Sequence, residues 1–320
     1  MSLVGVYLSG ANSLSFHSTA ELYGWSTRRW GYRLLPAGTL VVVDHANGGK
    51  ADASTLTGVS ETALLTLNGR ANQARHPQAI IDDPMAIRLV DAIDFDFDKF
   101  GRSGQEMALR SLAFDRAATQ YLSEHPSATV VALAEGLQTS FWRLSSALPD
   151  ADFRWLTVDF QPIIELRQRL LPSSTRITSL AQSALDYAWM DEVDTSNGVF
   201  ITAEGLLMYL QPDEAMGLIT KCASRFPGGQ MIFDVPPVLV RKFAPKGMRS
   251  SRRYRVPPMP FSLSAAQLAD LVNIVPSIHA VHDLKMPRGR GLVFNKLFPA
   301  FWQLKLTKQF RGAYTLLEFG

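Results

Sequence analysis

The chain has 320 residues, enough to bury a sizeable core in one large domain or in a domain with a cap. Hydrophobic residues make up 47% and charged residues 19%, which excludes disorder as a global state. A formal charge of +3 is too small to argue for a nucleic-acid partner, and the lone Cys222 excludes an internal disulfide or a multi-cysteine metal site.

Apolar runs all fall short of the roughly 18 residues that cross a bilayer. The stretch from Met1 to Ala11 has no basic residue ahead of its apolar part, so neither a secretory leader nor a membrane partner is expected. The chain reads as soluble and cytoplasmic.

Residues 1–55 are uninformative, with scattered Gly and Ser, the aromatics Tyr23, Trp25 and Trp30, and one strand-like run, Thr39–Val43. They read either as an N-terminal extension of uncertain order or as an arm over an active site or a second subunit. Residues 56–126 read as a helical cap. In Asp83–Ile93, Asp83 can cap and Pro84 can take the first helical position, and Met85, Ile87, Leu89, Val90 and Ile93 recur at helical spacing. A longer helix is expected over Gly104–Ser123, ending before Pro126.

Beyond this point the pattern alternates. Strand-like runs at Thr129–Leu133, Phe153–Val158, Arg176–Leu180, Gly198–Ala203 and Gln230–Val235 are separated by helical segments at Gln161–Leu170, Ser183–Glu192 and Asp213–Phe226. Two late strands follow, Ile278–Leu284 and Tyr314–Phe319. Strand–helix alternation implies right-handed crossovers and an α/β fold. Residues 127–320 are therefore expected to form a Rossmann-like, mostly parallel seven-stranded sheet with helices on both faces, interrupted by a basic insertion at 236–262.

Ligands of open parallel sheets bind outside the carboxyl ends of the strands, so strand-ending residues carry the functional signal. The first strand runs into Ala134-Glu135-Gly136-Leu137-Gln138-Thr139, where small residues let the backbone approach a ligand ahead of a helix. Asp159 ends the second strand 23 residues after Gly136, placed to accept hydrogen bonds from ribose hydroxyls. Ala184, Leu185 and Asp186 follow the third strand, where an adenine would lie, and Glu204-Gly205 ends the fourth. Each feature has an ordinary alternative as a turn, a helix cap or a surface carboxylate. Their joint order and spacing carry the reading.

The run from Val131 to Leu144 closely resembles the first motif of the leucine carboxyl methyltransferase family, which includes the tetracenomycin-type polyketide O-methyltransferases. The resemblance continues through Val158-Asp-Phe160, Arg167–Pro172, Ala203–Leu210 and Arg225–Gly229, and upstream through Asn68–Ala71 and Asp82–Pro84. It implies a class I fold and an O-methyltransferase that takes S-adenosyl-L-methionine and methylates a carboxylate or hydroxyl of a small molecule. It also implies that Arg110 holds the methionine carboxylate, a task suited to a planar fork. Ala134, Glu135 and Gly136 would form the loop, Asp159 the ribose acid, Ala184 and Leu185 the adenine pocket, and Glu204 the acid after the fourth strand. Glu204 and Tyr209 are the candidate catalytic residues. Ala134 replaces the family's first glycine, and Gln138 and Ser140 stand where many members have Asp and Arg.

A carboxylate acceptor is ionised at neutral pH and needs no general base. That agrees with the histidines: His125 precedes a proline, His279 and His282 fall on opposite faces of a strand, and His17, His45 and His76 lie near the N-terminus. No metal-ligand spacing is present, so no metal is expected. Arg241–Arg255 holds seven basic residues and no acidic one, and its flanking proline pairs mark a mobile insertion. It is either a solvated loop or a lid whose Arg252 and Arg253 attract an anionic acceptor. The alternative function is a degenerate methyltransferase fold that binds without turnover. A nicotinamide dehydrogenase is disfavoured because the loop lacks G-x-G-x-x-G. Oligomeric state is left open.

Overall fold

The computed structural model describes residues 49–244, 246–304 and 311–320. Thr39–Val43, His17 and His45 lie outside the described residues. The run Thr129–Leu133 is apolar at alternate and intervening positions alike, which suits a strand covered on both faces. It forms β1 (Thr129–Leu133), buried throughout. Beside it lie β2 (Arg154–Asp159), β3 (Ile177–Ala181), β4 (Val199–Ala203) and β5 (Gln230–Val235), all parallel. The late strands β6 (Ile278–Leu284) and β7 (Ala313–Phe319) run antiparallel, β7 inserted between β5 and β6. The order is β6-β7-β5-β4-β1-β2-β3. Strand order reverses between β1 and β4, which opens a crevice at the carboxyl ends.

Alternation along β1 divides the core. Val131 and Leu133 pack with Trp189, Ile201, Leu218 and Phe233, and Val130 and Ala132 with Phe114, Phe141, Trp155 and Phe200 on the other face. The cap carries α1 (Thr62–Ala74) and α2 (Pro84–Ala92), where Asp83 Oδ1 accepts from the Ala86 amide at 3.0 Å as the sequence predicts. The long helix α3 (Glu106–Glu124) leads into the sheet, followed by α4 (Ser140–Ala147), α5 (Gln161–Leu170) and α6 (Pro212–Arg225). A capping box between Gln211 and Glu214 and a proline at its first turn start α6.

Three expectations are revised. Ser183–Glu192 is a loop and a short 3-10 turn, Tyr187–Glu192, because Trp189 is drawn wholly into the core and its indole N–H donates to the Ala184 carbonyl at 3.0 Å. The basic insertion is built into the fold. It carries α7 (Val238–Phe243) and a short hairpin pairing Met248–Arg249 with Arg255–Val256, and the buried Tyr254 ring meets Phe100 edge-on at 4.7 Å. The third concerns the end of the extension, since Ala51 and Ala53 are buried in the cap core and Ala51–Asp52 pairs with Ile93–Asp94. Two short helices, α8 (Ala265–Ala269) and α9 (Leu271–Ile274), precede β6, and α10 (Phe298–Gln303) lies between β6 and β7. No helix among the described residues is long and apolar enough to cross a membrane.

Candidate functional site

A cleft of about 480 Å³ opens at the carboxyl ends of the parallel strands. Arg110, Ala134, Glu135, Gly136, Asp159, Ala184, Leu185, Glu204 and Tyr209 all line it. Four separate strand tips and one helix thus converge where the sequence places them.

The loop after β1 is held from behind by two arginines. Arg167 Nη1 donates to the carbonyls of Gly136 (2.9 Å) and Gln138 (2.7 Å), and the fully buried Arg70 donates to the Leu137 carbonyl at 2.6 Å. Ala134 and Gly136 both take left-handed backbone conformations, with φ of 47° and 58°. A Cβ on Gly136 would lie 3.1 Å from the Ala63 methyl, so that position needs glycine for space as well as for φ. Ala134 adopts the conformation glycine favours at a steric cost, and keeps the loop's shape.

Asp159 closes the loop from β2. Its Oδ2 accepts from the Gly136 amide at 2.6 Å and its Oδ1 from the Phe160 amide at 2.7 Å. Burial raises its pKa despite these donors. Glu135 points elsewhere: its carboxylate pairs with Arg167 at 2.8 Å and accepts from Thr157 Oγ1 at 2.6 Å and Trp155 Nε1 at 3.2 Å. Its side chain therefore anchors the loop to the sheet.

At the other end, Arg110 Nε lies 2.9 Å from Glu204 Oε1 and its Nη1 lies 3.4 Å from Asp234 Oδ2. Burial opposes the guanidinium charge, but Asp234 and Glu204 more than offset it and raise its pKa. Glu204 Oε1 also accepts from Ser111 Oγ (3.0 Å) and Gln138 Nε2 (2.7 Å). Gly205, at φ 69°, has its α-carbon against the guanidinium; a Cβ there would sit 3.1 Å from Arg110 Nη1. Sequence reasoning missed Asp234, although it stands in β5 by the same strand-tip rule that found Asp159. It also missed the buried cluster in which Arg143 pairs with Asp83 (2.7 Å) and Asp115 (2.6 Å).

Val240, Met248, Val256, Met259 and Pro237 of the insertion, together with Met107, give the cleft an apolar lining. Arg252 and Arg253 are exposed in the turn of the hairpin and do not line the cleft; Arg253 is paired with Asp96 at 2.7 Å. The insertion contributes its hydrophobic side to the cleft and turns these two cations outward. None of the described histidines lines the cleft, and His282 is engaged by Glu318 at 2.9 Å.

A doubly wound sheet with this cleft at its switch point defines a class I S-adenosylmethionine-dependent methyltransferase. A profile of the leucine carboxyl methyltransferase family matches residues 63–223, and the chain belongs to that family. It is 32% identical over 192 residues to the tetracenomycin polyketide synthesis O-methyltransferase TcmP of Streptomyces glaucescens, covering 59% of this chain and 70% of that one. It is 28% identical over 203 residues to the S-adenosyl-L-methionine-dependent methyltransferase dpfgK of Gibberella zeae, covering 57% and 67%. A solved structure of a candidate methyltransferase from Thermobifida fusca YX superposes with a TM-score of 0.50 at 14% identity, over 83% of this chain and 96% of its own, and shares the fold. The protein is an S-adenosylmethionine-dependent methyltransferase.

Proposed function

We propose that the chain transfers the methyl group of S-adenosylmethionine to an oxygen of a small, largely apolar molecule. One observation carries this reading: a single cleft is lined both by the charged side chains Asp159, Arg110 and Glu204 and by a group of apolar side chains. The cofactor fits the residues present. Gly136 gives the cleft a loop without a side chain, Asp159 offers a carboxylate for hydroxyls, and Arg110 offers a fork for a carboxylate.

When bound, the cofactor supplies an electrophilic methyl group on a sulfonium sulfur. The protein's part is positioning, which can remove several kcal/mol of orientational cost. Asp159 would accept hydrogen bonds from the ribose, Ala184 and Leu185 would border the adenine, and Arg110 would take the methionine carboxylate. Glu204 Oε1 accepts from Arg110, Ser111 and Gln138, so the carboxylate orients the arginine, and Oε2 would take the cofactor's ammonium. Tyr209 lines the cleft, and its phenol, neutral at pH 7 like that of any tyrosine, is able to donate a hydrogen bond to the acceptor oxygen.

The acceptor's charge follows from the lining. Arg110 is the one cationic side chain among the described lining residues, and two carboxylates already engage it. A hydroxyl group, or a carboxyl group on an otherwise apolar molecule, suits this wall better than a polyanion. The test is incubation with S-adenosylmethionine labelled in its methyl group and matched panels of apolar alcohols, phenols and carboxylic acids. Methyl ether or ester formation is expected, and Asp159→Ala should abolish cofactor binding by calorimetry. Absence of any product, with unchanged binding in Asp159→Ala, would reject the assignment.

A further inference from the structure

We infer that the turn and short helix over Leu292–Leu304 dock the protein on an anionic membrane surface. From Leu284 to Leu304 the sequence has no acidic residue and four cations: Lys285, Arg288, Arg290 and Lys296. Within it, a π-turn at Val293–Leu297 continues into α10. Leu292, Val293 and Leu297 are 62%, 51% and 56% exposed, and Phe301 and Leu304 extend the same apolar face at spacings of four and three. Lys296 is exposed beside them. A short helix with exposed bulky apolar residues, in a stretch whose charged residues are all cations, is the composition of an element that lies in a bilayer interface.

The surround decides the occupant. Two copies of this segment would bring like charges together, which opposes self-association, whereas anionic headgroups add roughly 1 kcal/mol of attraction per cation near the surface. The expectation of no membrane partner rested on the lack of a spanning run, and surface docking needs none.

The segment is also anchored beside the cleft. The Arg290 amide donates to Gln105 Oε1 at 2.7 Å, Gln105 Nε2 donates back to the Arg290 carbonyl at 3.2 Å, and Arg290 Nη1 donates to the Gln78 carbonyl at 2.7 Å. Gln105 immediately precedes α3, whose Glu106, Met107 and Arg110 line the cleft. Docking through Leu292 and Leu297 thus holds a cleft-lining helix near the interface, where apolar acceptors concentrate.

The test is co-sedimentation of the full chain with vesicles of phosphatidylcholine alone and of phosphatidylcholine mixed with phosphatidylglycerol, at low and high salt. The expected result is binding to the mixed vesicles that weakens with salt and falls at least tenfold in a Leu292→Gln, Leu297→Gln variant. Both positions are exposed, so the variant should keep its melting temperature and its affinity for S-adenosylmethionine. Three results would overturn the inference. These are no binding by the parent chain, equal binding to both vesicle types, or a concentration-dependent dimer that the same variant abolishes without any vesicle binding.

Discussion

Arg110 and Glu204 are joined at 2.9 Å across 94 positions of sequence, tying the helix before the sheet to the tip of β4. Asp234 adds a second carboxylate to the same guanidinium. Replacing Arg110 by Met leaves two largely buried carboxylates without a counter-ion, at a cost of about 3–5 kcal/mol. Arg110→Lys keeps the charge but loses the fork. It should fold and bind S-adenosylmethionine at least tenfold more weakly by calorimetry. An unchanged dissociation constant for Arg110→Lys would remove Arg110 from the cofactor site.

Ala134 holds φ at 47° where glycine would sit without strain. The left-handed conformation costs a residue with a Cβ about 1–2 kcal/mol, and the extra chain entropy of glycine returns part of that. Ala134→Gly is therefore expected to stabilise the protein by up to about 1 kcal/mol, roughly 2 °C in melting temperature. Cofactor affinity should hold or tighten. A lower melting temperature would mean that the Ala134 methyl makes packing contacts worth more than its strain.

Asp83 sits fully buried between Arg70 (3.2 Å) and Arg143 (2.7 Å) and accepts from Thr139 Oγ1. Burial acts to raise its pKa, but Arg143 and Arg70 more than offset it and hold the value below 3.8. A depressed carboxylate stabilises the fold at pH values above its unfolded pKa, and that contribution disappears as pH falls through the folded value. Asp83→Asn should cost about 3–5 kcal/mol near neutral pH, because two buried arginines lose a shared counter-ion. Denaturant midpoints measured from neutral to acid pH should show the parent and variant converging at the acid end. Parallel curves would deny the ion pairs their part.

Arg252 and Arg253 lie outside the cleft lining, and Arg253 is spent on an exposed pair with Asp96. Exposed pairs contribute about 0–1 kcal/mol. The double replacement by Ala should leave kcat and the acceptor's KM unchanged and shift the melting temperature only slightly. A raised KM would restore the two arginines as a lid that attracts an anionic acceptor.

The strands, their order of appearance and the candidate cofactor residues were legible in the sequence because each rests on a local signal. Alternating apolar runs, a loop of small residues, and an acid or small pair at each strand tip need only neighbours in the chain to be recognised. Asp83 and Pro84 announced α2 in the same way, through capping chemistry within one turn. Asp234 carried the same strand-tip signal and was overlooked, whereas Arg143 carried none, since what matters about it is a set of partners distant in sequence. A carboxylate such as Glu135 looked like a ligand residue by position, and only the placement of Arg167 and Thr157 around it turned it into an anchor. The insertion shows the same limit: its charge pattern was plain, but whether its cations or its apolar residues faced the cleft depended on Tyr254 seating against Phe100. Local chemistry determined which elements form and where ligands can approach. Which side chain faces which was decided by packing between segments far apart in the chain, an outcome that depends on the whole core at once.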